Sequence, residues 1–247
     1  MDGMRTTTRT AGSESTELAR LAGLLADETR AAICLALVDG RGWTANELAR
    51  HAGVAPSTAS EALSKLVDGG LLVEWRQGRH RYLALAGPDV AELIEDLTVR
   101  LPPRAAPAGS LKAATVAEAL ARGRTCYDHF AGRLGVALTD AMTAAGLVRQ
   151  RAGFALTDDG LTWFTAELGV GLETAPTSRR PLVRGCLDWT QRRPHLAGVA
   201  GARLCARFFE RGWVTRIGSG RAVKVTPTGR TALTRLFPTH PLPTDVL

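Results

Sequence analysis

The stretch from Thr44 to Tyr82 leaves this chain few ways to fold. Thr44, followed three residues later by Glu47, predicts a capping box that satisfies the free amides of a first helical turn, and Leu48 and Ala52 lie on one face of the short helix it opens. Gly53 then supplies the backbone freedom for a tight turn, with Val54 as its apolar plug. In the helix that follows, Ala59, Leu63, Leu66 and Val67 recur at helical spacing, while Ser57, Thr58, Ser60, Glu61, Ser64 and Lys65 take the opposite face. Small hydroxyl side chains on an exposed helix can approach phosphates and base edges without being held off by bulk. Gly69-Gly70 closes that helix, Leu71 to Trp75 reads as a strand, and Gln77-Gly78 turns it into the returning strand His80 to Leu85. Arg76, Arg79 and Arg81 gather around this turn, where a basic tip would hold phosphates. The expected DNA contacts are Ser57, Thr58, Ser60, Ser64, Lys65, Arg76, Arg79 and Arg81. The alternative is a helical hairpin on a β-ribbon with no partner.

Together with Leu25-Ala26-Asp27-Glu28-Thr29-Arg30 and Ala32-Ile33-Cys34-Leu35-Ala36-Leu37, this stretch resembles the DNA-binding domain of the ArsR family of bacterial winged helix-turn-helix repressors, over roughly residues 15–100. The resemblance implies a homodimer whose recognition helices enter successive major grooves of an inverted-repeat operator, with an effector altering affinity for double-stranded DNA. Two of the family's metal sites have no counterpart. The Cys-x-Cys at the start of the helix before the recognition helix is replaced by Thr44 and Asn46, and Pro88 to Arg100 contains Asp89, Glu92, Glu95 and Asp96 but no histidine. In that segment Val90, Leu93, Ile94 and Leu97 form an apolar stripe, expected with the first helix to make the dimer interface, the alternative being intramolecular packing against the C-terminal half.

At 247 residues the chain is too long for this domain alone. No apolar run approaches the ~20 residues of a membrane span, and Met1 to Ser13 lacks the apolar core of a secretory signal, so a cytoplasmic protein without membrane contact is expected. Cys34, Cys126, Cys186 and Cys205 are too widely spaced to suggest a disulfide scaffold, and Cys34 and Cys205 read as core filler. No phosphate loop, nucleophile elbow or metalloprotease helix occurs, so no enzyme is expected. Charge is unevenly spread: residues 1–100 hold 11 Lys and Arg against 14 Asp and Glu, whereas 101–247 hold 20 against 10. Arg179, Arg180, Arg184, Arg192, Arg193, Arg203, Arg207, Arg211, Arg216 and Arg221 would suit flanking DNA or an anionic effector.

Beyond the proline-rich segment an internal repeat appears. One copy runs Cys126-Tyr-Asp128-His129-Phe-Ala-Gly132, an apolar helix to Ala144, Gly146-Leu-Val148, then Leu156-Thr157. The other runs Cys186-Leu-Asp188-Trp189, an insertion Thr190 to Pro194, His195-Leu-Ala-Gly198, an apolar helix to Arg211, Gly212-Trp-Val214, then Val225-Thr226. The expected fold is mainly α with small β-hairpins (α+β), an N-terminal winged helix-turn-helix followed by two degenerate winged-helix-like repeats. Its parts are a disordered tail 1–14, the DNA-binding and dimerisation domain 15–100, a linker 101–111, repeats at 112–175 and 176–237, and a loose tail 238–247. Cys126 and His129, three apart, would share a helix face, whereas Cys186 and His195 meet only if the insertion folds back. On one reading each Asp pairs with an Arg and each Cys is core filler. On the other, Cys126, His129, Cys186, His195 and Trp189 surround an effector pocket suited to a metal ion, an oxidant or a small organic inducer. The candidate function is an effector-responsive transcriptional repressor, with an effector-free architectural DNA binder as the alternative.

Overall fold

Helix boundaries in the first ninety residues follow from local chemistry. Asp27, in extended backbone, accepts a hydrogen bond from the Arg30 amide at 2.9 Å and starts helix α2, Glu28–Leu37, after helix α1, Ala11–Leu25. Strand β1, Trp43–Thr44, leads into α3, Ala45–Ala52, where Thr44 and Glu47 form the expected capping box. Gly53 ends α3 in the left-handed region, and Pro56, needing no amide partner at a first-turn position, opens α4, Pro56–Asp68. Ile33, Leu37, Leu48, Leu63 and Leu66, all fully buried, form the core between α2, α3 and α4. Strands β2, Leu72–Gln77, and β3, His80–Leu85, pair antiparallel from Leu72↔Leu85 to Gln77↔His80, and β1 adds to the far side of β3. The ring of Trp75 stacks on Tyr82 and passes so close to Gly42 that a Cβ there would meet it at 2.5 Å.

The computed structural model describes residues 11–78, 80–101, 111–151, 153–173, 180–218 and 220–247. The chain divides into two compact units, Met1–Val90 and Ala91–Leu247. The division falls inside helix α5, Pro88–Val99, which the sequence assigns whole to the DNA-binding domain. Helix α1 also begins earlier than expected, at Ala11, within the tail expected at 1–14. The linker expected at 101–111 lies almost entirely outside the described residues.

The second unit continues with α6, Leu111–Arg122; β4, Arg124–Cys126; β5, His129–Ala131; α7, Gly132–Ala144; β6, Val148–Arg149; β7, Ala155–Leu156; and α8, Asp158–Ala166. Then come β8, Arg184–Leu187; β9, Pro194–Ala197; α9, Gly198–Glu210; β10, Val214–Arg216; β11, Val223–Val225; and α10, Pro227–Leu236. From β4 and from β8 onward the same order follows: hairpin, helix, hairpin, helix. Thr157 and Thr226 cap α8 and α10 through equivalent bonds to Gly160 and Gly229 amides. The Cys126 to His129 segment before α7 is therefore a hairpin and not the helix expected from sequence, and a hairpin precedes α9 as well. Tyr127, at φ 54°, reverses the chain between β4 and β5, and Gly132, at φ 73°, turns β5 directly into α7.

Phe130, Phe164, Leu204, Phe208 and Trp213 belong to one apolar core, with Phe130 and Phe208 ring centroids 5.5 Å apart. Helix α7 packs on β9 and α9 on β5, so each helix leans on the hairpin that precedes the other. A Cβ on Gly135 would sit 3.6 Å from the His195 Cβ, and one on Gly201 would sit 3.2 Å from the His129 Cβ, a reciprocal contact of equivalent positions. The last segment is not a loose tail. Leu242 and Val246 enter the same core, because apolar side chains beyond the prolines still find a surface to cover.

Candidate functional site: a DNA-facing helix and a buried Cys and His cluster

In the first unit, α4 buries Ala59, Ala62, Leu63 and Leu66 and leaves Ser57, Thr58, Ser60, Ser64 and Lys65 exposed. The Lys65 ammonium is tied to Glu61 one turn back at 2.7 Å. Arg76 and Arg81 oppose each other across the ribbon, Arg76 exposed and Arg81 paired with Glu74 through its Nε at 2.8 Å. Arg79 lies outside the described residues. A helix with a short-side-chain face and a basic ribbon beside it in sequence is an arrangement that can meet a major groove and its backbone.

In the second unit the two hairpins bring the distant cysteines and histidines together. Cys126 stands opposite His129 across β4 and β5, and Cys186 opposite His195 across β8 and β9. Opposite positions on a hairpin project to the same face. One ligand atom from each of the four lies within 4.8 Å of all the others, and all four residues are buried. The imidazole rings stack with centroids 5.1 Å apart. Cys126 and His129 thus meet by strand pairing, not by helical spacing, and the Thr190 to Pro194 insertion is the loop that lets the second pair close.

Sequence reasoning passed over a fifth group. Glu95 on α5 is buried, accepting from the Cys126 thiol at 2.6 Å and lying 3.6 Å from the Cys186 sulfur. The signal was available: Ala91, Ile94 and Glu95 share the buried face of α5, so one carboxylate interrupts an apolar stripe. Burial pushes the Glu95 carboxyl up to about 7, with His129 opposing the shift. Burial and the neighbouring Cys186 and Glu95 raise the Cys126 thiol well above its ordinary value, whereas a hydrogen bond from Cys126, against the effect of burial and with help from both histidines, holds Cys186 far below the usual thiol range. Burial disfavours charge on His129, yet Asp128 and Cys186 bring it to about 10; burial lowers His195. The arrangement concentrates two sulfurs and two imidazole rings in one buried space.

The two aspartates behave as the plainer reading expects, and more. Asp128 takes a two-pronged bond from Arg180 at 2.6 and 2.9 Å and touches His129 Nδ1 at 3.3 Å. Asp188 pairs with Arg124 at 2.9 Å, accepts from the Gly132 amide at 2.6 Å, and organises its own loop through Thr190 and Gln191. The Trp189 ring carries the Arg124 guanidinium 4.8 Å from its centroid. The basic surface expected in this half is largely spoken for. Arg184 faces Glu92 and Asp96, Arg193 pairs with Asp140, Arg207 with Glu210, and Arg211 caps carbonyls at the end of α8. Arg179 lies outside the described residues. Cys34 and Cys205 are buried core residues, with burial raising the Cys34 thiol to about 11.

A family model described as a helix-turn-helix domain matches residues 25–74. YdfF of Bacillus subtilis, an uncharacterized HTH-type transcriptional regulator, is 38% identical over 216 residues, 87% of this chain and 94% of that protein, so the likeness runs well into the second unit. CmtR of Mycobacterium tuberculosis, an HTH-type transcriptional regulator, is 41% identical over 80 residues, 32% of this chain and 67% of that protein. Among solved structures, the homodimeric winged helix-turn-helix DNA-binding domain Mb0332 of Mycobacterium bovis is 28% identical at a TM-score of 0.37, covering 41% of this chain and 97% of that one. The fold of the first unit, the matched helix-turn-helix model and the two curated regulators define a DNA-binding transcriptional regulator of the winged helix-turn-helix class. The chain belongs to the ArsR family of such regulators. Among the described residues no helix is long and apolar enough to cross a membrane.

Proposed function

We propose that the protein acts as a homodimeric repressor on an inverted-repeat operator, and that an effector bound in the second unit releases it from DNA. The observation that carries the sensing part is the convergence of Cys126, His129, Cys186 and His195 inside a unit that has no other evident task. A fold needs only apolar filling at such positions, and burying four groups with hydrogen-bonding and ionisable character costs stability unless a partner repays it. Dimerisation is favoured by Leu18 on α1 and Leu97 on α5, apolar side chains 68% and 46% exposed in the single chain. Ser57, Thr58, Ser60 and Ser64 are the groups assigned to base edges and nearby phosphates, with Lys65, Arg76, Arg79 and Arg81 on the backbone.

Selection of DNA from a random-sequence pool by the full chain tests this reading, together with the mass of the complex in solution. A palindromic site bound by two chains, whose presence beside a promoter lowers transcription on addition of protein, is the expected result. Salt-sensitive binding without sequence preference would overturn it in favour of an architectural role.

A further inference from the structure

We propose that Cys126, His129, Cys186 and His195 form a tetrahedral two-sulfur, two-nitrogen site for a borderline divalent cation of the zinc type, and that Glu95 couples its occupancy to α5. The inference rests on the sensor reading of the second unit.

Donor chemistry comes first. Two thiolates and two neutral imidazoles match zinc in ligand type, number and net charge. In a tetrahedron with metal–sulfur bonds of about 2.3 Å and metal–nitrogen bonds of about 2.0–2.1 Å, ligand atoms lie roughly 3.3–3.8 Å apart. The longest separation in the cluster is 4.8 Å, so closing it around an ion asks for a contraction of about 1 Å, within the reach of side-chain torsions.

A second observation points to a missing partner. His129 Nε2 and both ring nitrogens of His195 are buried with no hydrogen-bond partner. Buried polar nitrogens are otherwise nearly always satisfied. Behind His129 stands Asp128, 3.3 Å from Nδ1, and behind His195 stands Asp188, 3.8 Å from Nδ1. A carboxylate behind the far nitrogen is the usual way a ligating imidazole is oriented, and it leaves Nε2 for the metal.

Glu95 gives the site an output. The Cys126 thiol donates to the Glu95 carboxyl at 2.6 Å. Coordination takes place through the thiolate, so the ion displaces the Cys126 proton to solvent and that hydrogen bond is lost. The carboxyl group must then find a new partner or move, and with it the α5 backbone. Pro88 to Val90 at the start of the same helix belong to the DNA-binding unit, which makes α5 the continuous element that both units share.

The test uses the full chain, reduced and stripped with a chelator, with cobalt(II) as spectroscopic probe and zinc(II) as its competitor. One cobalt per chain is expected, showing the strong visible bands of a tetrahedral ion and sulfur-to-cobalt charge transfer, both erased by zinc. Cys186→Ser and, separately, His195→Gln should weaken binding at least about 100-fold. Circular dichroism shows whether each variant is folded, and the wild-type spectrum stands without them. Zinc should weaken the affinity of the wild type for its selected DNA site about tenfold, and that of Glu95→Gln less than about twofold, although Glu95→Gln still binds one cobalt. An octahedral spectrum, no uptake, or binding unaffected by loss of Cys186 overturns the metal site. So does a DNA response that appears only on oxidation to a Cys126–Cys186 disulfide. A full zinc response in Glu95→Gln overturns the coupling. Failure of the metal-free protein to select any DNA site counts against the regulator reading instead, so the two failures are separable.

Discussion

Arg124 and Asp188 form an ion pair at 2.9 Å from which solvent is completely excluded, joining β4 to the loop after β8. Asp188 is also the acceptor for the Gly132 amide, so a single carboxylate holds the start of β4 and the residue that follows β5.

Removing one partner of such a pair leaves a buried charge with nothing to compensate it, at a cost of about 3–5 kcal/mol. Asp188→Ala should therefore lower the denaturant midpoint by an amount corresponding to that range. The double variant Arg124→Met, Asp188→Leu should recover only part of the loss, since it removes the unpaired charge but leaves the Gly132, Thr190 and Gln191 amides without their acceptor. Equal midpoints for the single and double variants would show that the pair is not what the aspartate stabilises.

Two glycines with nearly the same backbone angle should respond differently to alanine. Gly132 and Gly146 lie at φ 73° and 74°, but a Cβ on Gly132 would meet the Ala121 carbonyl at 2.7 Å, while one on Gly146 meets nothing within 4 Å. The left-handed backbone alone costs about 1–2 kcal/mol. Gly146→Ala should stay within that figure and Gly132→Ala exceed it, by calorimetry.

Ser60→Glu places a carboxylate on the exposed face of α4 and should abolish binding to the selected site without altering the melting temperature by more than a degree or two, about the effect of a neutral surface change. Arg76→Ala should weaken binding to every sequence and lower the slope of log affinity against log salt by about one unit. Retention of wild-type binding by both variants in a titration would move the DNA face elsewhere.

The capping box predicts an acid-sensitive step. Hydrogen bonds from the Thr44 backbone and side chain hold Glu47 below the usual carboxylate range. A depressed acid contributes stability above its unfolded pKa of about 4.3, and loses it as pH falls through the lower folded value. Glu47→Ala should thus cost less than about 1 kcal/mol at pH 7, with the difference from wild type closing below about pH 4. A gap that persists unchanged in acid, followed by urea titrations at several pH values, would mean the side chain acts by packing.

Much of the first unit was legible because its signals are local. A capping box, a left-handed Gly53, Pro56 at a helix start and the Gly69-Gly70 stop each act within a few residues, and all appear where the chain order puts them. The exposed hydroxyl face of α4 followed from periodicity alone.

The second unit shows the boundary between the two kinds of information. Its repeated Cys-x-Asp and His-x-Ala-Gly elements, and the prospect that four side chains meet, could be read from the chain. That they meet across strand pairs was decided by Tyr127 and the 188–193 loop reversing the backbone, where helical spacing suggested a shared face. The docking of Leu242 and Val246, the pairing of the arginines and the arrival of Glu95 beside two sulfurs depended on surfaces assembled from residues far apart in sequence. Caps and turns are written in neighbouring residues because their hydrogen bonds close over a few positions. Burial and charge pairing depend on which distant surfaces the assembled core presents, and only the tertiary structure decides that.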